Sequence, residues 1–165
     1  RLLAKMKKGV DIAQVARVTK AFSNENIMVH AYLMFGFPTE TEQETIDSLE
    51  VVRQLFQSNC IQSAFWHQFA CTSHSPVGKN PDEFQINITG PKFEGFAEND
   101  LYHEDPTGAE HHLYSEGLNA ALNKYLNYKG FEIPLEQHFN FKVPNTTQVS
   151  NLVEGFLKQE VLQKV

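Results

Sequence analysis

The nine residues Ile27–Phe35 (IMVHAYLMF) form a nearly continuous apolar run that stops at Gly36-Phe37-Pro38. A run this short, closed by a glycine and a proline, reads as a parallel strand covered on both faces, because alternation is lost when neither side meets water. Parallel strands cannot be joined by a tight turn, so the residues that follow must supply a crossover. They do. Thr39 and Thr41 are each followed three positions later by an acid, Glu42 and Glu44, in two overlapping capping boxes. Ile46, Leu49, Val52, Leu55 and Phe56 then recur at helical spacing up to Ser58-Asn59. A second strand is expected over Ile61–Phe69, with Phe65 and Phe69 on one side. Strand, helix and strand in this rhythm predict a βαβ unit with a right-handed crossover.

The flanks are helical. Leu2, Leu3 and Met6 have helical spacing, with Gly9 as the expected C-cap. Asp11 is placed to cap a second helix whose inward face is Ile12, Val15, Ala16, Val18, Thr19 and Phe22. From Cys71 to Thr107 apolar periodicity weakens, and Ser, Pro, Gly, Asn and Asp dominate. Only Phe84–Ile88 alternates as a short strand would. Leu113, Leu118, Ala121, Leu122, Tyr125 and Leu126 predict a long amphipathic helix ending before Gly130. Thr146 or Thr147 is positioned to cap a last helix with Val149, Leu152, Val153, Phe156 and Leu157 inward.

Composition narrows the function. Of 165 residues, 41% are hydrophobic, enough for a packed core, and the net charge is −6. The short Lys5–Lys8 run is a helix end, and binding to a nucleic-acid backbone needs many more basic contacts. No stretch approaches the ~20 apolar residues that span a bilayer, and no signal peptide is visible. Two cysteines, Cys60 and Cys71, outside any CxxC pair, fit a reducing, cytoplasmic setting. His103, His111, His112 and His138, each beside a glutamate or near one, invite a metal reading. There is no HExxH, and adjacent helical histidines point ~100° apart, so solvated or locally hydrogen-bonded rings are expected. No nucleophile motif is present, and no catalytic residue is assigned.

Three blocks carry a resemblance. Leu33–Thr41 (LMFGFPTET) is similar to the strand-end motif G-[FL]-P-x-[EQ]-T of radical S-adenosylmethionine (SAM) enzymes, including the cobalamin-binding and methylthiotransferase-like branches. Arg1–Gly9 (RLLAKMKKG) resembles the helix that precedes that strand, and Phe69–Val77 (FACTSHSPV) the stretch after the last barrel strand, with His74 where glycine is usual. The resemblance covers residues 1–78 and thins after about residue 90. It implies an α/β fold: a partial parallel α/β barrel over residues 1–90, then a mainly helical C-terminal extension over 91–165. Arg1-Leu2-Leu3 opens in what reads as mid-helix, as an excised piece or a processed terminus would, and a longer polypeptide is expected to supply the rest of the barrel.

The resemblance further implies that Met34 packs on the adenine of SAM, that Gly36 admits it, and that the backbone near Phe69 and Ala70 binds the same ring. Glu40 or Thr41 would hold the loop. The parent enzyme would bind SAM and a [4Fe–4S] cluster, and in some branches cobalamin. The cluster needs three cysteines in C-x3-C-x2-C, which Cys60 and Cys71 cannot provide, so no metal ligand is assigned here. Expected partners are the N-terminal remainder of the same polypeptide and a second copy through open strand edges, with no nucleic acid and no membrane. Two rival readings stand beside the enzyme fragment: a non-catalytic substrate-recognition or assembly module, and a small metal-dependent hydrolase.

Overall fold

The computed structural model describes residues 1–90 and 99–162, with side chains through 159. The boundary expected at residue 91 therefore lies outside the described residues. The chain is α/β, and its first half has the predicted order. α1 (Leu2–Lys5) and α2 (Ile12–Asn24) precede β1 (His30–Phe35). The crossover α3 (Glu42–Gln57) leads to β2 (Ser63–Gln68). β1 and β2 pair in parallel, with Tyr32 opposite Phe65 and Met34 opposite His67. Asp11 caps α2, accepting the Gln14 N–H at 2.7 Å. Of the two candidate threonines, Thr41 caps α3 in a complete capping box with Glu44.

The strands are shorter than predicted, and the first is not covered on both faces. Leu33, Phe35, Ala64 and Trp66 turn toward the main core. The opposite face carries His30, Tyr32 and Phe65, with Tyr32 79% exposed. Ile27 and Met28 lie exposed ahead of β1. On the face of Tyr32, Met34 packs into a small core with Leu2 and Phe69, but among the described residues the stretch bearing Tyr32 is left open, so the apolar run is covered fully on one side only. Val18 and Phe22, read as inward, are also exposed, because Ala16 is the one residue of α2 that is fully enclosed. α1 ends before Gly9: Lys7 already takes a left-handed φ of 54°.

The segment after β2 builds a small second lobe. β3 (Cys71–Thr72) and α4 (Pro76–Lys79) come first, then a 3-10 turn at Pro81–Phe84. β4 (Asn87–Ile88), β5 (Asp100–Leu101) and β6 (His103–Glu104) follow. β3 pairs with β5 and β4 with β6, both antiparallel. Where a strand was expected over Phe84–Ile88, Gln85 adopts φ 59° and breaks the alternation, so only Asn87 and Ile88 enter a ladder. Phe37, Cys71, Val77, Phe84 and Ile86 form a small core there, flanked by Met34 and Phe69.

α5 (Tyr114–Tyr125) packs on β2 and α3, and α6 (Leu152–Leu162) on α2 and α3. Leu118, Ala121, Leu122 and Val153 belong to the same core cluster as Phe35, Ile46 and Phe56, so the C-terminal helices complete the core of the first half. Leu113 precedes α5 and is exposed. Thr146 and Thr147 do not cap α6. Both hydroxyls donate to Asp47 of α3, at 2.7 and 2.6 Å, and the Thr147 N–H donates to it at 2.7 Å. With the threonines committed, α6 starts later and Val149 stays exposed. The Val153 N–H, in the first turn, is accepted instead by Gln54 Oε1 at 3.0 Å, while Gln54 Nε2 donates to Val149 O at 2.8 Å. One side chain of α3 thus substitutes for a missing cap on α6.

Partial burial raises the pKa of Asp47, but the hydrogen bonds from Thr147 and Thr146 outweigh it and leave the carboxyl below its ordinary value. A carboxylate held this way adds stability that is present above its unfolded pKa and is lost as pH falls through the folded one. Asp47→Ala is expected to lower stability near neutral pH by about 1–2 kcal/mol. The gap from wild type should narrow below about pH 4. Urea denaturation across that pH range checks both.

Candidate functional site

In open α/β folds ligands bind beyond the carboxyl ends of the strands, so the site is built outward from Phe35 and Gln68. β1 ends in a reversal that only an unusual backbone permits. Gly36 has φ 77°, and Thr39, a β-branched residue, has φ 69°. The turn is held from beneath by Glu40, which is only 2% exposed. Its Oε2 accepts the Phe37 N–H at 3.1 Å and its Oε1 accepts the Thr45 hydroxyl at 2.8 Å. Desolvation raises the Glu40 pKa, opposed by those same hydrogen bonds. The turn is held from outside by Arg1, which donates to Thr39 O at 2.7 Å and forms an ion pair with Glu44, and by Lys5, 3.0 Å from Thr39 Oγ1.

Residues far along the chain close over the same turn. Asp105 Oδ2 accepts the Thr39 N–H at 2.7 Å, and the Ala109 N–H donates to Glu40 O at 3.1 Å. His111 lies against Gly36: a side chain added there would meet His111 Cβ at 3.1 Å and Cγ at 3.2 Å. His111 is 8% exposed, and neither ring nitrogen has a hydrogen-bond partner. The nearest carboxylate oxygen, Asp105 Oδ2, is 4.0 Å from Nε2. Burial lowers the pKa of His111; Asp105 opposes this, while His103 and His112 add to it. An enclosed imidazole without partners costs about 1–3 kcal/mol.

The four residues expected to meet SAM are not equally placed. Gly36 has the positive φ that its expected role requires, but the neighbour using its missing side chain is His111. Met34 and Phe69 are half-buried against the small core, and Phe69 meets Phe37 edge-on at 5.3 Å between ring centres. The Phe69 N–H donates to Phe35 O at 2.8 Å, so this backbone donor is used within the fold. Ala70 is exposed. Glu40 holds the loop, one of the two residues expected to, and Thr41 caps the helix that follows.

The expectation of solvated or locally bonded rings holds for His112 and His103, the latter with Nδ1 3.5 Å from Leu101 O, and is corrected at His111. His112 is exposed, and His103 sits in β6 edge-on to Phe69. His111 and His138 are buried, the latter with Nδ1 3.3 Å from Lys124 Nζ and Nε2 unpartnered. Among the described residues no three or more His, Cys, Asp or Glu side chains gather as a metal site. Cys60 and Cys71 are buried free thiols, and desolvation raises the pKa of each.

Glu40 holds and shapes the turn through its hydrogen bonds to Phe37 and Thr45. Glu40→Gln should preserve it: the amide oxygen can take the Phe37 N–H, and the amide N–H2 can face the Thr45 hydroxyl, which has Thr41 O within 3.3 Å as its own acceptor. A pKa raised by folding means stability is present below the unfolded value and lost as pH rises through the folded one. The melting temperature of Glu40→Gln should therefore equal or exceed wild type near neutral pH, and that of Glu40→Ala should fall. A large loss in the glutamine variant would show that the negative charge itself is needed.

Comparison with protein-family models, with curated proteins and with solved structures gives no match to this chain.

Proposed function

We propose that the chain is a C-terminal portion of a radical SAM enzyme, two strands of its α/β barrel with a helical extension, contributing part of the SAM and substrate site. The observation that carries this reading is the strand end itself. A Gly-Phe-Pro turn with Gly36 at φ 77° closes a parallel strand, between flanking blocks that resemble those of the same enzymes in the same order. A truncated barrel accounts for the sheet: α5 packs on β2, residues of α3 share one core with one face of β1 and β2, and on the other face Tyr32 and Phe65 are exposed. In a barrel that face would look inward.

In the parent, SAM bound to a [4Fe–4S] cluster would supply the radical chemistry, and cobalamin would serve in members that carry its domain. The part of this chain is to position cofactor and substrate with Met34, Gly36, Phe69 and Ala70 at the strand ends. Its partners are the remainder of the polypeptide and, when that is absent, a second copy along the open edges. The setting proposed is cytoplasmic, in keeping with the two free thiols; no described helix is long and apolar enough to cross a membrane. The exposed Tyr32–Phe65 pair, ring centres 6.2 Å apart, also favours a second reading, a recognition or assembly module without chemistry of its own.

Two measurements separate these readings. Anaerobic reconstitution should leave this chain without a cluster, whereas a longer natural polypeptide carrying C-x3-C-x2-C upstream should take up about four irons. A longer polypeptide without that motif or cluster favours the assembly module. Gly36→Ala should destabilise the chain by about 1 kcal/mol or more, since alanine is strained at positive φ. In the longer polypeptide it should weaken SAM binding by more than it lowers stability. Unchanged SAM affinity in a folded variant would make the turn purely structural.

A further inference from the structure

We propose that residues 105–111 form a strap closed over the carboxyl ends of β1 and β2, and that acid releases it through His111. The strap is a self-contained loop. Asp105 Oδ1 accepts the Thr107 and Gly108 N–H groups at 3.1 and 2.9 Å and the Thr107 hydroxyl at 3.0 Å, and the His111 N–H donates to Ala109 O at 2.8 Å. Its hydrogen bonds to the turn are few. Asp105 Oδ2 takes the Thr39 N–H, and the Ala109 N–H reaches Glu40 O. The rest of the closure is the His111 ring seated where Gly36 leaves room.

That seat is a poor one for an imidazole and a worse one for an imidazolium. Both ring nitrogens are out of contact with solvent and lack partners, so opening restores their hydration. The charged and titratable groups around the ring are Asp105 on the strap, His103 on β6 and the adjacent His112. The space beside Gly36 that His111 borders is bordered from β2 by the neutral Gln68. Asp105 Oδ2 attracts a proton on the ring, but at 4.0 Å from Nε2 it lies beyond hydrogen-bond distance, and burial outweighs that attraction. The neutral ring is thus compatible with closure and the protonated ring with opening. Closure is favoured above the ordinary histidine pKa of about 6.5 and weakens as pH falls below it. Glu40, beneath the same turn, titrates in the opposite sense, because its protonation relieves a buried charge. The strap stands whether or not the strand ends bind SAM.

Hydrogen exchange followed by mass spectrometry tests it on this chain, with intrinsic rates corrected for pH. Between about pH 7.5 and about pH 5.5, peptides covering 34–41 and 103–112 should exchange faster, by up to about tenfold per unit below about pH 6.5. Peptides of α3 and α5 should keep their protection. His111→Phe and His111→Leu both remove the titrating ring, and whichever retains protection of α3 should show no acid acceleration at the strap. Asp105→Ala should expose both peptides at either pH. Uniform loss of protection across the core, a strap indifferent to pH, or acid acceleration that survives in a folded His111 variant would each overturn the proposal.

Discussion

The parallel pairing of β1 with β2 obliges the chain to travel back along the sheet between them, and α3 is the element that makes the journey. Much else depends on it. Its N-terminus is fixed by Thr41 and by the turn that Glu40 supports. Its apolar side, with Ile46, Leu49, Val52 and Phe56, forms the centre of the core that α5 and α6 complete. Asp47 and Gln54 on the same helix hold the approach to α6, and Arg53 holds Phe131 O at 3.0 Å.

The joint between α3 and the C-terminal segments is polar to an unusual degree for a buried surface. Glu50, 4% exposed, accepts two hydrogen bonds from Arg53, at 2.6 and 2.8 Å, and a third from Gln54 at 2.7 Å. A paired charge of this kind adds little net stability over a well-packed apolar contact, yet breaking it by removing one partner is severe. Its effect here is on register. Gln54 bonds to two backbone groups four residues apart, Val149 O and Val153 N–H, which fixes where α6 begins more narrowly than apolar packing would.

Local signals were legible in the sequence and long-range ones were not. The caps at Asp11 and Thr41, the strand ending at Gly36 and the stripe of α3 each depend on residues within a few positions of one another, and each formed. Thr146 and Thr147 were placed to cap a helix, though without the acid three residues on that completes the box at Thr41, and were claimed by Asp47, 99 and 100 residues away. His111 could not be recognised as part of the strand end for the same reason: nothing near it in sequence indicates Gly36, and the link from Asp105 to Thr39 spans 66 residues. The apolar run of β1 misled differently. Apolar content shows that a face seeks cover but not whether this chain supplies it, and the side bearing Tyr32 was left open.

The separation between Asp47 and Thr147 has a bearing on how the polypeptide comes off the ribosome. The two halves of that clamp are 100 positions apart in sequence. At ordinary translation speeds, roughly 5–20 s elapse between their synthesis. For that interval β1, α3 and β2 exist without the helices that seal them, and the surface that will receive Leu118, Leu122 and Val153 faces water. The polar residues lining α3, with Glu50, Arg53 and Gln54 able to bond within one helix, give the waiting surface partners of its own. The buried network that sets the register of α6 would then also keep the nascent chain soluble until α6 arrives.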